Sequence, residues 1–328
     1  MRRREFFTLL GAAATWPMGA RAQPSTGKVA RIGVLMGSDE RQPESQSRIK
    51  AFREGLQQLG WIEGRNAQIE VRWAADIDRI HDDTAEMIAL APDVIVANGT
   101  PFVDALHKAT RSIPIVFVLS NDPVGLGHIA SMAKPGGNIT GFTFMELSLI
   151  GKWLDLLKQM APGLNRSAII FDPDTTPYYT PYLRAIDSAP PLPLHLEGAT
   201  IRGTGEIETW IGSFAREPGG SLVSPAGPFN VLNGRLIARL AEQFKLPAIS
   251  MYRQFALDGG LIAYGPDPDD IFRRSADYVN RILRGTSPAD LPAQAPTQFH
   301  FAINLKTAET LGLNPPTTLL ATADEVIE

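Results

Sequence analysis

Short apolar runs alternate along this chain with segments in which apolar residues recur at helical spacing. An apolar run at 31–36 predicts a strand, and the segment 49–59 places Ile49, Phe52 and Leu56 on one face of a helix. The alternation continues with predicted strands at 69–73, 94–97 and 113–118 and a predicted helix at 77–90. Strands that alternate with helices predict a parallel sheet with helices on both faces.

A glycine-rich segment at 134–141, Lys-Pro-Gly-Gly-Asn-Ile-Thr-Gly, interrupts this series, and a second series of the same kind follows it. Its predicted strands lie at 168–171, 194–196, 221–223, 248–250 and 259–265, and its predicted helices at 147–160, 182–188 and 232–244. Two similar α/β halves joined by glycine-rich crossings predict two lobes with a hinged cleft between them.

A further helix, ending near residue 283, is predicted to begin after Asp267. Asp267 precedes Pro268, and an acidic N-cap residue followed by proline at the first helical position is typical of a helix start. A cation held by Asp267, Asp269 and Asp270 is the alternative. The proline between the acids favours the cap.

The first 22 residues have the order of an export signal. Paired arginines and two phenylalanines at 3–7 precede an apolar stretch at 9–20, which is too short for a membrane span of about 20 residues. Ala20-Arg21-Ala22 is a small-x-small cleavage site, so we expect cleavage after Ala22 and a periplasmic protein. The paired arginines favour the twin-arginine route over the general secretory route, which stays open. An amphipathic first helix is disfavoured by Pro17.

Charge and cysteine content narrow the function classes. The 328-residue chain has a formal net charge of −4, and loss of the signal leaves 27 basic and 34 acidic side chains, or −7. An acidic surface argues against nucleic acid and anionic membranes as partners. The chain has no cysteine, which excludes disulfides, thiolate nucleophiles, iron–sulfur clusters and cysteine-ligated metals, and we expect no lipid anchor.

Sequence motifs give little support to catalysis. The segment 125–130, Gly-Leu-Gly-His-Ile-Ala, matches a dinucleotide-binding pattern, but residues 120–124 separate it from the preceding strand. No phosphate-binding loop or nucleophile elbow is present, and the five histidines lack metal-ligand spacing. We therefore predict no catalytic residue, no metal and no cofactor. An exported cofactor-dependent enzyme remains the alternative.

Four separated segments carry a family resemblance. They are Asp-Pro-Val-Gly at 122–125, the glycine-rich segment at 134–141, Gly-Gly-Leu-Ile-Ala-Tyr-Gly at 259–265 and Ile-Asn-Leu-Lys-Thr-Ala at 303–308. Together they resemble exported substrate-binding proteins of ATP-driven importers, in the branch that includes tryptophan-binding and tyrosine-binding members. The similarity runs from about Arg31 to Glu328.

The resemblance implies a type I periplasmic binding protein, with two Rossmann-like lobes of parallel sheet joined by three hinge crossings. We expect lobe 1 at 30–141 and 262–290 and lobe 2 at 142–261 and 291–328. The expected partners are a small-molecule ligand and the membrane permease of an ABC importer, and the expected state is a monomer. A partner that presents its ligand to a membrane sensor would share this fold.

Strand ends predict the ligand site, because ligands of open α/β sheets bind outside the carboxyl ends of the strands. The first lobe contributes short polar and glycine residues: Gly37, Ser38, Asp39, Asn98, Gly99, Thr100, Ser120, Asn121 and Asp122. The second lobe contributes mainly aromatic and apolar residues: Asp172, Pro173, Tyr178, Tyr179, Pro225, Ala226, Phe229, Met251 and Tyr252. Polar groups from one lobe would orient a ligand against an apolar wall from the other. Each polar residue has an alternative role as the cap of the next helix.

The resemblance also bears on ligand charge. In the amino-acid-binding branch, the loop after the strand at 221–223 carries an aspartate suited to an α-ammonium group, whereas here the loop at 224–229 is Ser-Pro-Ala-Gly-Pro-Phe. An unpaired ammonium in a closed cleft would cost several kcal/mol. Unless Asp39, Asp122 or Asp172 replaces that aspartate, we expect an aromatic or aliphatic carboxylate without an amine.

Overall fold

The computed structural model describes residues 29–74, 77–144, 148–187 and 192–328. The predicted export signal at 1–22 lies outside the described residues. Within the described ranges, no helix has both the length and the apolar character that a membrane crossing requires.

The first sheet has five strands, all parallel, in the order β2-β1-β3-β4-β5. Its strands are β1 Ala30–Met36, β2 Ala67–Trp73, β3 Val94–Asn98, β4 Ile115–Ser120 and β5 Ile139–Thr143. The helices between them are α1 Pro43–Gln58, α2 Ile80–Ala89 and α3 Thr100–Ala109. Strands β3, β4 and β5 are buried along their whole length, which explains why β3 and β4 read as continuous apolar runs.

The second sheet has seven strands in the order β12-β11-β10-β9-β8-β6-β7. Its strands are β6 Arg166–Phe171, β7 His195–Thr200, β8 Gly220–Ser224, β9 Ala248–Ser250, β10 Ile262–Pro266, β11 Phe299–Asn304 and β12 Glu325–Ile327. The remaining helices are α4 Ser148–Met160, α5 Tyr179–Asp187, α6 Thr204–Phe214, α7 Pro228–Gln243, α8 Arg253–Leu257, α9 Pro268–Leu283, α10 Leu305–Thr310 and α11 Thr317–Leu320. All neighbouring strands are parallel except β10 and β11, which are antiparallel. The predicted α/β architecture of two mainly parallel sheets is confirmed.

The chain passes between the two sheets three times, and all three passages differ from the expected boundaries. β10 pairs with β9 and β11, so the segment 262–266 belongs to the second sheet and not to lobe 1. The chain crosses after it, and α9 packs on α1 and on the first sheet. Gln294 still pairs with β5, because its amide donates to the Gly141 carbonyl at 2.8 Å. The return to the second sheet therefore follows residue 294 and not residue 290.

Gly141, the last residue of the glycine-rich segment, lies inside β5. Its φ is +151°, and a Cβ at this position would lie 2.0 Å from the Phe117 carbonyl oxygen. The close approach of β4 and β5 therefore requires glycine here. The segment predicted as a crossing thus includes the start of an additional strand, and the crossing itself follows Thr143.

Asp267 caps α9, as the sequence predicts. Its side-chain oxygen accepts hydrogen bonds from the amides of Asp269, at 2.8 Å, and Asp270, at 3.3 Å. Pro268 occupies the first helical turn, where no amide hydrogen is needed. The acids therefore serve the helix start at the second passage between the sheets.

We predict that Asp267→Ala lowers the free energy of unfolding by about 1 kcal/mol, because two amides at the start of α9 lose their acceptor. Asp267→Asn is the matched control, since an amide oxygen can still cap the helix. Urea unfolding followed by circular dichroism measures both. Equal destabilisation by the two variants would show that the negative charge, and not the cap, is what matters.

Candidate functional site

The loops that follow the parallel strands of the two sheets contact each other at the predicted cleft. Asn121, directly after β4, donates its side-chain amide to the hydroxyl of Tyr178, which lies after β6, at 2.9 Å. Phe144, after β5, lies against Tyr252, after β9, with ring centroids 6.0 Å apart. These contacts join the first and second sheets at the strand ends where the sequence predicts the ligand site.

Several predicted residues of the first lobe form one hydrogen-bonded group. The Thr100 hydroxyl lies 3.3 Å from the Ser120 hydroxyl and accepts a hydrogen bond from the Asn121 amide at 3.1 Å. The Gly37 amide donates to the Asn98 side chain at 3.2 Å. The loops after β1, β3 and β4 are therefore held together, and much of their polar capacity is used in doing so. The Asn121 side-chain oxygen is buried and has no hydrogen-bond partner among the described residues.

The three predicted acids of the cleft are engaged within their own loops. Arg41 pairs with Asp39 and holds the pKa of that carboxyl at about 2. Asp122 accepts from the Gly125 amide at 3.0 Å. Asp172 accepts from the Asp174 amide at 2.9 Å and from a threonine hydroxyl at 3.2 Å. Each carboxylate thus stabilises the turn that carries it.

Aromatic side chains form the second-lobe side of the predicted ligand site, but they differ in how deeply they are buried. Tyr178 and Tyr179 have ring centroids 4.8 Å apart, and Tyr182 packs against both. Tyr179 is completely buried and donates its hydroxyl to the Ala226 carbonyl at 2.7 Å, so it supports the wall from behind. Burial raises the pKa of Tyr178 and of Tyr179, which keeps both phenols neutral.

The remaining residues that the sequence predicts for the ligand site in the second lobe also differ in burial. Ala226, Phe229 and Met251 are buried in the hydrophobic core, where they shape the loops rather than present polar groups. Pro173 and Tyr252 are partly exposed. The part of the wall nearest the first lobe is therefore formed by Tyr178, together with Tyr252.

Two residues that the sequence interpretation missed lie at this site. Tyr182 packs its ring against Tyr178 and Tyr179, and burial together with the nearby charge of Asp122 raises the pKa of its phenol. Arg48 on α1 is partly buried. Burial lowers the pKa of its guanidinium, whereas Tyr252, Asp269 and Glu44 act to raise it. A signal for Arg48 was available, because it stands three residues after buried Ser45 and four before buried Phe52, on the inward stripe of the helix.

The motifs set aside at the sequence level do not form a second centre. Residues 123–130 form turns and bends, so the glycine pattern there opens no helix that could bind a pyrophosphate. The fold brings two histidines together, with the rings of His107 and His128 5.6 Å apart, and His128 pairs with Asp104. No group of three or more potential metal ligands occurs within the described ranges.

Comparisons with known proteins agree with this geometry. A family model described as ABC transporter substrate binding protein matches residues 41–327. A tyrosine-binding protein of Clostridioides difficile strain R20291 is 24% identical over 272 residues, covering 83% of this chain and 78% of that protein. Among solved structures, a conserved domain protein from Vibrio cholerae has a TM-score of 0.80 at 24% identity, covering 91% of this chain and 100% of its own. An ABC domain from Streptococcus pneumonia in complex with L-Trp has a TM-score of 0.79 at 22% identity, covering 91% and 99%.

We predict that Tyr178→Phe weakens the contact between the lobes by about 1 kcal/mol, because it removes the hydroxyl that accepts from Asn121. Small-angle scattering should then show a larger radius of gyration than that of the unaltered protein. Tyr179→Phe is the matched control, since its hydroxyl bonds within the second lobe. It should lower the melting temperature and leave the radius unchanged. An equal change of radius in both variants would contradict the assignment.

Proposed function

We propose that this chain, which belongs to the ABC transporter substrate-binding protein family, captures a small molecule between its two lobes and delivers it to the membrane permease of an ATP-driven importer. The observation that carries the proposal is the hydrogen bond between Asn121 and Tyr178, which joins loops at the carboxyl ends of strands in different sheets. A ligand that touches both loops gains contacts only when the lobes are together. Binding therefore favours the closed arrangement.

The composition of the cleft supports an aromatic or carboxylate-bearing ligand. Tyr178 and Tyr252 offer flat apolar surfaces with polar ends, while the first lobe offers amide and hydroxyl groups from Asn121 and Thr100. The relatives named for tyrosine binding and for a complex with L-Trp are consistent with this class. The predicted contact residues at the strand ends are part of the same proposal.

The place of action follows from the first 22 residues. An export signal of this order, cleaved after Ala22, would deliver the protein to the periplasm without a lipid anchor, because the chain has no cysteine to receive one. The periplasm is where a substrate-binding protein meets both its solute and its permease. The substrate-binding role involves no chemical conversion of the ligand, so we propose a binding protein and not an enzyme.

Exposed apolar residues on the cleft-facing ends of both lobes support a permease as partner. Val124 and Leu126 follow β4 in the first lobe, and Val231 and Leu232 lie near the start of α7, directly after β8, in the second. Leu232 is 81% exposed. A partner that covers both pairs would bind best when the lobes are together, and could thereby distinguish the loaded protein from the empty one.

A ligand screen tests the proposed capture of an aromatic or carboxylate-bearing solute. At 100 times its dissociation constant, a ligand adds about 2.7 kcal/mol to the free energy of unfolding. The panel should contain aromatic amino acids, aromatic acids without an amine, aliphatic acids and sugars. We expect at least one aromatic or carboxylate compound to raise the melting temperature and to reduce the radius of gyration. Stabilisation by sugars alone would contradict the ligand class, and no response to any solute would contradict capture.

Leu232→Ser tests the proposed permease surface. We expect it to reduce solute uptake by cells in which it is the only copy, with unchanged ligand affinity, because it removes an exposed apolar contact and touches no cleft residue. Ile62→Ser is the matched control, since Ile62 is exposed at the opposite end of the first lobe, between α1 and β2. Equal uptake defects in the two variants would contradict a specific docking surface.

A further inference from the structure

Arg48 holds a positive charge at the edge of the cleft. It lies in the second turn of α1, one turn after Ser45, whose hydroxyl donates to the Ser38 hydroxyl at 2.7 Å. Ser38 belongs to the loop after β1, which is part of the predicted ligand site. The neighbouring Ser47 hydroxyl bonds to Asp269 at the start of α9, so the helix that carries Arg48 is fixed on both sides.

No acid among the described residues is in contact with the Arg48 guanidinium. Within the described part of the chain it forms no ion pair and donates no hydrogen bond, although it is partly buried. Its charge interacts with Glu44 and Asp269 only from a distance, and Asp269 already accepts from Ser47. A desolvated guanidinium with free donors is costly, and that cost is relieved by an anion that enters the cleft. Its planar fork fits a carboxylate with two parallel hydrogen bonds.

Tyr252 interacts both with Arg48 and with the aromatic residues of the second lobe. Burial raises the pKa of the Tyr252 phenol, and the nearby Arg48 guanidinium opposes this rise. The same phenol interacts with Tyr178 and Tyr179, and its ring packs against Phe144. An anion bound by Arg48 would therefore lie beside aromatic surfaces from both lobes, which an aromatic group on the same ligand can cover.

Among the described residues, the acids predicted at the cleft do not form a matching receptor for an ammonium group. Asp39, Asp122 and Asp172 are each held within their own turns, and the loop from Ser224 to Phe229 has no acid. Glu44 is exposed to solvent, where a carboxylate attracts an ammonium only weakly. A cation near Arg48 would also be repelled by the guanidinium.

We propose that Arg48 binds the carboxylate of the ligand and that the preferred ligand is an aromatic carboxylate without an ammonium group. This inference rests on the proposed function of capture between the lobes and names the substrate class of that same cleft. Arg48 is thus the residue that determines charge specificity, and Tyr178 and Tyr252 supply the surface against which the ring packs.

Two matched series of compounds test the substrate class by calorimetry on the purified protein. One contains 3-(4-hydroxyphenyl)propionate, L-tyrosine and tyramine, and the other contains indole-3-propionate, L-tryptophan and tryptamine. Within each series the ring is constant while the ammonium or the carboxylate is added or removed. In at least one series we expect the propionate to bind about 10-fold or more tighter than the amino acid, and the amine to show no binding.

Arg48→Gln tests the residue. We expect it to weaken binding of the preferred propionate by about 10- to 100-fold, the usual range for a lost charge-assisted hydrogen bond. Lys50→Gln is the matched control, because it removes the same charge from an exposed position on the same helix. The melting temperature of the ligand-free Arg48→Gln protein should be unchanged or higher, since an unpaired cation is removed, whereas a structural role for Arg48 would lower it.

The outcomes separate this inference from the proposed function. Failure of the propionate to bind more tightly than the amino acid in both series, or unchanged propionate affinity in Arg48→Gln, would overturn the carboxylate assignment and leave capture by the cleft intact. Failure of both propionates to bind would also overturn the assignment. In that case the wider solute screen decides whether capture itself stands.

Discussion

The positions of polar side chains in this molecule depend on one constraint. Strands of both sheets are buried under helices on both faces. β3 and β4 expose none of their residues, and their backbone groups bond to neighbouring strands. Polar side chains are then tolerated mainly where strands end. Asn98 and Ser120 are the last residues of β3 and β4, and Asn121 follows directly. Because parallel strands end at the same edge, these groups collect on one side of the first sheet.

The electrostatics of the cleft depend on which charges find a partner close by in the chain. Asp39, Asp122 and Asp172 follow strands, where the next turn offers amides or an arginine, and each takes such a partner. Arg48 lies on a helix, and the acid four residues before it, Glu44, is exposed and forms no ion pair with it. The chain as a whole carries a net charge of −4, yet Arg48, which forms no ion pair among the described residues, places a positive charge beside the predicted site.

Local patterns in the sequence predict most of the helices and strands. The features that these patterns miss depend on pairing between residues far apart in the chain. The sequence predicts β3 and β4 from their apolar runs, and it predicts the cap at Asp267. These predictions succeed because the features depend on residues close together in the chain. The membership of β10 in the second sheet depends on pairing with β11, more than thirty residues away, which no local pattern encodes. At the site, strand ends correctly indicate where Asn121 and Tyr178 meet, but whether they touch the ligand stays a prediction. Tyr179 is fully buried, with its ring against Phe171, Tyr178 and Tyr182, and sequence spacing cannot tell two adjacent tyrosines apart.

The three passages between the lobes are not independent of one another. The Thr143 amide donates to the Gln294 carbonyl at 2.9 Å, and the Gln294 amide donates to the Gly141 carbonyl at 2.8 Å. The Gln294 side chain also donates to the Tyr278 hydroxyl on α9, the helix that follows the remaining passage. Any rotation of one lobe against the other must therefore bend two of these segments together or break their hydrogen bonds. Because breaking hydrogen bonds between these segments is costly, we expect any such rotation to bend the two segments together.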